Sequence, residues 1–225
     1  MSEDIPKTII ANRSYLDYHY LTIGEKNMAS KKGKNSTKNK IVSAAWKLFY
    51  DQGYDDTTID EIVEASGTSK GSFYHYFEGK DALLGSLSII FDEKYSELSE
   101  RFDPEMDAID KLTFLNKELF TMIDSGVSID LLTKLLSSQL VTRGEKHLLD
   151  RNRTYFKLIT RIIREGQENG ELRSDMTVNE LIKGYAMFER GMMYDWCLSG
   201  GEYSLSRYAS EMLPMFLEGF RSSKT

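Results

Sequence analysis

Apolar residues recur at helical spacing through most of the chain. Ile41, Ala44, Ala45, Leu48 and Phe49 fall at i, i+3, i+4, i+7 and i+8, one face of a helix that ends at Gly53. Thr58-Ile59-Asp60-Glu61 has the form of a capping box, in which the Thr58 hydroxyl accepts from the Glu61 amide and the Glu61 carboxylate reaches back. The helix it opens turns Ile59, Ile62 and Val63 inward and stops at Gly67, a residue suited to a left-handed C-terminal turn. A short third helix follows from about Ser69 and a fourth from about Lys80. Further helices are expected near 80–102, 105–124, 128–142, 146–168, 177–198 and 204–221. Asp103-Pro104, Gly126, Gly144, Gly170 and Gly200-Gly201 punctuate them. No segment alternates with the period of a strand, so the pattern predicts an all-α fold.

The start of the chain behaves differently. Residues 1–27 match neither helix nor strand periodicity, and read as an extension of little function before a natural start at Met28, or else as an accessory arm. Between Met28 and Tyr50 the chain carries Lys31, Lys32, Lys34, Lys38, Lys40 and Lys47 with no acid, so a net charge of −6 leaves −12 on the remainder. A basic start on an acidic body suits a protein that offers one end to phosphate, although a solvated lysine arm has the same composition. No apolar run approaches the roughly 18 residues that span a bilayer, and the acidic N-terminus lacks the apolar core of a secretory signal. Cys197 stands alone, which excludes an intrachain disulfide framework. These features fit a cytoplasmic protein.

The phase of the third helix carries the functional information. With Phe73 at zero and 100° per residue, Phe77 falls at about 40° and Lys70 at about 60°. Gly71, Ser72, Tyr74 and His75 fall between about 100° and 260°, away from the core. Two phenylalanines therefore anchor the helix, while the opposite face presents hydroxyls, rings and a gap. Glycine at that gap costs about 1 kcal/mol of helix stability against alanine, and lets another molecule approach the backbone. Helix, glycine-containing turn and helix make a DNA-binding arrangement when the second helix has such a surface.

The stretch Thr37–Leu84 resembles the DNA-binding module of TetR-type transcriptional regulators. The resemblance runs through Ile41-Val42-Ser43-Ala44-Ala45-Trp46-Lys47-Leu48-Phe49, Gly53-Tyr54 and Thr57-Thr58-Ile59. It continues through Ala65-Ser66-Gly67-Thr68-Ser69-Lys70-Gly71-Ser72-Phe73-Tyr74-His75-Tyr76-Phe77, then Lys80 and Ala82-Leu83-Leu84. It implies that Lys70, Gly71 and Tyr74 approach base edges in the major groove of a double-stranded operator. It also implies that Thr58, Ser72, His75, Tyr76 and Lys80 hold phosphates, with Lys38 and the lysines before it adding phosphate or minor-groove contacts. Short hydroxyls, Tyr and Lys are the usual phosphate donors, and Lys can donate to guanine O6 and N7. Two positions depart from the family pattern: Gly79 stands where a capping Ser or Asn is common, and Phe73 where Leu is common. The first weakens a helix cap by a few tenths of a kcal/mol.

The domain organisation implied is a flexible basic extension over 1–35, a three-helix helix-turn-helix module over 36–82, and a larger helical domain for effector binding and dimerisation over 83–225. The resemblance further implies a homodimer through the helices near 177–198 and 204–221, where Gly184, Phe188, Gly191 and Asp195 share a stripe and Tyr208, Met212, Met215, Phe216 and Phe220 add apolar area. A two-fold dimer engages both halves of a palindromic operator. Phe114, Phe120, Met122, Tyr155, Met187 and Met193, with Leu115, Leu136 and Phe156, are the candidates to line a pocket for a small-molecule effector, although most such residues in a helical body are plain core. The reading that follows is a repressor released from its operator by that effector. The alternative is a helical small-molecule-binding protein whose helix-turn-helix contacts another protein. No cofactor is implied. His19, His75 and His147 share no metal-ligand spacing with one another or with Cys197, and no nucleophile with a positioned base suggests an enzyme.

Overall fold

The computed structural model describes residues 34–141 and 146–222, with side chains from Thr37 onward. The extension over 1–27, the lysines before residue 34 and the expected break at Gly144 lie outside the described residues. Among the described residues all regular structure is helical except one bridge between Leu172 and Arg221, so the fold is all-α. The helices are α1 (Lys34–Gln52), α2 (Ile59–Ser66), α3 (Lys70–Tyr76), α4 (Lys80–Leu84), α5 (Leu87–Ser99), α6 (Ala108–Gly126), α7 (Ile129–Val141), α8 (Thr154–Glu168), α9 (Val178–Leu198) and α10 (Leu205–Glu218). They form two compact units. The first holds residues up to Ser86 together with Ser125–Ser138, and the second holds Leu87–Asp124 and the chain from Gln139 onward.

In the first unit, α1 buries Ile41, Ala45, Trp46 and Phe49 as its periodicity demands. The Trp46 indole donates to the Ser86 hydroxyl at 2.6 Å, so the largest buried ring keeps its one polar atom satisfied. The capping box of α2 forms as expected: the Thr58 hydroxyl accepts from the Glu61 amide at 3.2 Å, and the Glu61 carboxylate accepts from the Thr58 amide at 2.7 Å. Gly67 closes the helix with φ 62°, in the left-handed region. One segment differs from the pattern. The helix expected over 80–102 is split, with α4 ending at Leu84 and α5 starting at Leu87. The Ser86 hydroxyl and amide both donate to the Leu83 carbonyl, at 2.5 and 2.9 Å, which closes the turn locally and interrupts the helical ladder.

In the second unit, α8 packs against α5 and α9, and α9 packs against α10. The helix expected from residue 146 starts only at Thr154. A 3-10 turn at His147–Leu149 precedes it, and the Asp150 carboxylate accepts from the Asn152 amide at 2.8 Å in a local turn that competes with helix. Asp92 of α5 supplies what the start of α8 lacks: it accepts from the Tyr155 amide at 3.3 Å and pairs with the Arg153 guanidinium at 3.0 and 3.2 Å. Asp124 does the same for α10, accepting from the Leu205 and Ser206 amides at 2.9 and 2.8 Å. A second capping box, Thr177 with Glu180, opens α9.

Gly166 on α8 sets the closest approach in this unit. A Cβ there would stand 2.6 Å from the Ala108 Cβ and 2.9 Å from Leu172. Gly166→Ala is therefore expected to destabilise the protein by about 1–3 kcal/mol through overpacking, against a propensity gain of about 1 kcal/mol. A urea-unfolding midpoint lowered at fixed protein concentration is the expected reading, and a midpoint raised by the substitution would contradict the packing account.

Candidate nucleic-acid interface and effector body

α3 is seven residues long, shorter than an isolated helix can sustain, and is held by its inner face. Phe73 is completely buried and Phe77 nearly so, with their ring centroids 5.8 Å apart. Ser69 caps the N-terminus by accepting from the Ser72 amide at 3.1 Å. The outer face then follows from helix geometry. Tyr74 is half exposed and edge-on to Phe73, His75 is exposed beside a half-buried Tyr76, and Lys70, Gly71 and Lys38 are exposed. Lys70 lies 2.7 Å from the exposed Asp60 carboxylate, which raises the affinity of its ammonium for the proton and keeps it charged.

Among the described residues, nothing packed against Gly71 requires a glycine there. A Cβ there would meet only the Ser69 hydroxyl, at 3.9 Å, in ordinary contact, and the residue lies in a regular helix. The space in front of it is open.

One expected contact takes another role, and a second is shared with a helix cap. Lys80, expected on a phosphate, directs its ammonium into the protein, donating to the carbonyls of Tyr54, Asp55 and Thr57 at 2.6, 3.2 and 2.8 Å. Those three acceptors account for all three ammonium hydrogens, and the charge also sits 4.3 Å above the Tyr54 ring. Lys80 braces the turn between α1 and α2. The Thr58 hydroxyl is exposed, but it also donates to Glu61 at 2.8 Å in closing its capping box.

The second unit contains a buried polar cluster in an apolar surround. Glu189 of α9, 3% exposed, accepts from the Asn116 amide at 3.0 Å and from the Tyr155 hydroxyl at 2.6 Å. The Tyr185 hydroxyl donates to the Leu112 carbonyl at 2.9 Å, and the Tyr95 ring lies 5.0 Å from that of Tyr155. Burial raises the Glu189 carboxyl above the usual carboxylate range, in spite of the donors around it. Asn116 Oδ1 is buried with no hydrogen-bond partner.

Of the effector candidates, Phe120, Met122, Tyr155 and Met193 are buried in this body and Phe114 is half buried against Phe102. Leu115 and Phe156 are buried in it too, whereas Leu136 belongs to the first unit. Met187 corrects the expectation: it is 56% exposed, because it lies on the face of α9 opposite Tyr185 and Glu189. It begins an open stripe, Met187, Gly191, Tyr194 and Leu198, and α10 exposes Tyr208 and Met215. Gly184 and Phe188, grouped with that stripe from the sequence, face their own chain instead. A Cβ on Gly184 would lie 3.4 Å from Phe220, and Phe188 stacks on Phe216 with centroids 4.7 Å apart. A Cβ on Gly191 would meet nothing.

Residues 41–87 match the profile described as bacterial regulatory proteins, tetR family, and residues 91–219, more than half of the chain, match that of the YsiA-like protein, C-terminal region. The chain belongs to the TetR family. As a member it is a DNA-binding transcriptional regulator. Among its relatives is the HTH-type transcriptional repressor KstR2 of Rhodococcus jostii, 25% identical over 84% of this chain and 94% of the relative. FadR of Thermus thermophilus, a TetR-family repressor solved with lauroyl-CoA, shares the fold with a TM-score of 0.69 at 22% identity, covering 83% of this chain and 96% of that one. FadR of Bacillus subtilis, solved with stearoyl-CoA, does so with a TM-score of 0.62 at 19% identity, over 81% and 98%. Among the described residues, no helix of this TetR-family chain is long and apolar enough to cross a membrane.

The polar cluster was not anticipated from the sequence, although a signal exists. Ile182, Tyr185, Glu189, Met193 and Trp196 are spaced as one inward helical stripe, so a carboxylate occupies a core position of α9. Because the fold raises the Glu189 pKa, its contribution to stability is present below the unfolded-state value and is lost as pH rises through the folded-state value. Glu189→Gln removes that loss while keeping an acceptor for Tyr155. The variant is expected to gain in Tm on the parent as pH rises from about 5 to about 8. Thermal melts with a Tm difference independent of pH would show that burial does not raise the Glu189 carboxyl.

Proposed function

We propose that this TetR-family regulator is a repressor that a small-molecule effector releases from a palindromic operator. Residues 36–82 act as the reading head, and 83–225 as the effector-binding and dimerisation domain. Lys70, Gly71 and Tyr74 contact base edges; Lys38, Thr58, Ser72, His75 and Tyr76 contact phosphates and fix the register. The observation that carries this reading is Gly71, an exposed helical glycine with open space in front of it on the polar face of α3. Lys70 exchanges its exposed pairing with Asp60 for an acceptor on the duplex.

The stripe Met187, Gly191, Tyr194 and Leu198, with Tyr208 and Met215, supports a homodimer through α9 and α10, because the glycine admits a neighbouring helix and the rest supply apolar area. A dimer engages both half-sites at once, which is how so small a head reads specifically. The effector binds the DNA-incompetent spacing of the two heads more tightly and so lowers operator affinity by its differential free energy. Lauroyl-CoA and stearoyl-CoA in the two FadR structures direct the first effector screen to acyl thioesters. The operator places the regulator's work in the cytoplasm.

Selection of bound sequences from random DNA, followed by mobility shift, tests the reading. An inverted repeat is expected, with an affinity that falls steeply with salt. Tyr74→Ala is expected to abolish specific binding while the protein stays folded. Gly71→Ala is expected to weaken specific binding while stability stays level or rises by up to about 1 kcal/mol. Specific binding retained by both variants would remove α3 from the interface.

A further inference from the structure

The turn between α2 and α3 sets a carboxylate against the one lysine of α3. Asp60, in the first turn of α2, lies 2.7 Å from the ammonium of Lys70, in the first turn of α3. The two stand far apart in sequence for helical neighbours, so their meeting depends on how α2 and α3 cross. Both side chains remain open to solvent, 57% exposed for Lys70 and 74% for Asp60.

The helix cap does not use Asp60. Glu61, the other acid in that turn, closes the box on Thr58 and also accepts from Gln52 at 3.3 Å. Among the described residues Asp60 has Lys70 as its one ionic partner. The lysines of α1 differ. Lys38, Lys40 and Lys47 are exposed and, among the described residues, have no carboxylate within 4.0 Å.

That difference matters on a duplex. An open lysine is drawn to any phosphate backbone, whatever its sequence, because each contact releases a counter-ion. A lysine already paired gains less, since it must leave its carboxylate and that carboxylate is then held against a polyanion. An acceptor in the right place offsets the loss. Guanine O6 and N7 form such a pair at fixed positions in the major groove. Discrimination is a difference between two affinities, so weakening the wrong complex serves it as well as strengthening the right one.

We propose that Asp60 is a specificity-determining residue, whose carboxylate restrains Lys70 from sequence-independent phosphate contacts and releases it where a guanine is placed to accept. Asp60 acts through Lys70, as a positioning residue, and not as an acceptor for a base. The inference rests on the reading that puts Lys70 on base edges, and adds to it the group that suppresses binding elsewhere.

The test uses the full-length protein, an operator selected from random DNA and a random-sequence duplex of equal length. Fluorescence anisotropy is measured over a range of salt for the parent, Asp60→Asn, Lys70→Gln and the double variant, each checked for folding by circular dichroism. Asp60→Asn is expected to tighten binding to the random duplex by about three- to fivefold. It is also expected to steepen the logarithmic salt dependence there by about one. Operator affinity rises less, so the preference for operator falls by about twofold or more. Combined with Lys70→Gln, the substitution loses most of its gain on the random duplex.

An Asp60→Asn variant that keeps the parent's preference overturns the inference. A gain on the random duplex that survives intact in the double variant does so too, because Asp60 would then act only by bulk repulsion. Loss of operator affinity with no gain on the random duplex also overturns it, because Asp60 would then itself contact a base. A parent that binds both duplexes equally overturns the placement of α3 at the bases, and is told apart because it appears before any substitution is made.

Discussion

Burial of two phenylalanine rings determines the orientation of everything chemically useful in the first unit. A helix as short as α3 has no stability of its own, since nucleation costs more than one or two turns return. Phe73 and Phe77 dock it, Ser69 caps it, and Gly67 turns the chain into it. Once those constraints hold, a rotation of 100° per residue leaves Tyr74 and His75 no route inward. The edge-on contact between Phe73 and Tyr74, centroids 5.4 Å apart, carries the same constraint one residue further, from a buried ring to an exposed one. Lys80 completes the frame from behind by gathering three carbonyls of the preceding turn.

The second unit meets a different demand. Its apolar interior contains a carboxyl with two tyrosines and an asparagine whose own side-chain oxygen is unsatisfied, an arrangement less stable than a wholly apolar core of the same volume. That cost suits a body that answers to a ligand rather than one built only for stability.

Much of the fold was legible because capping and termination are local. Thr58 with Glu61, and Gly67 after Ser66, encode a start and a stop within a few residues, and both form. The face of α3 was legible for the same reason, since phase along a short helix depends on nothing outside it. The misreadings share the opposite cause. The start of α8 at Thr154 depends on Asp92, some sixty residues earlier, and the break between α4 and α5 involves the hydroxyl that also receives Trp46. Met187 reads as pocket and Gly184 as dimer stripe on spacing alone; which side of α9 meets α10 decides otherwise.

The amino-acid pattern by itself determined the helical class, the helix-turn-helix, the family, and which residues of α3 face away from the core, because periodicity, caps and turn glycines act over one or two turns. Tertiary packing alone decided that Lys80 braces a turn and that Glu189 is sealed beside tyrosines. Those outcomes depend on which distant residues come within a few ångströms, and a charge or a ring has the same identity in the sequence whether it ends against a carbonyl, a carboxylate or open water.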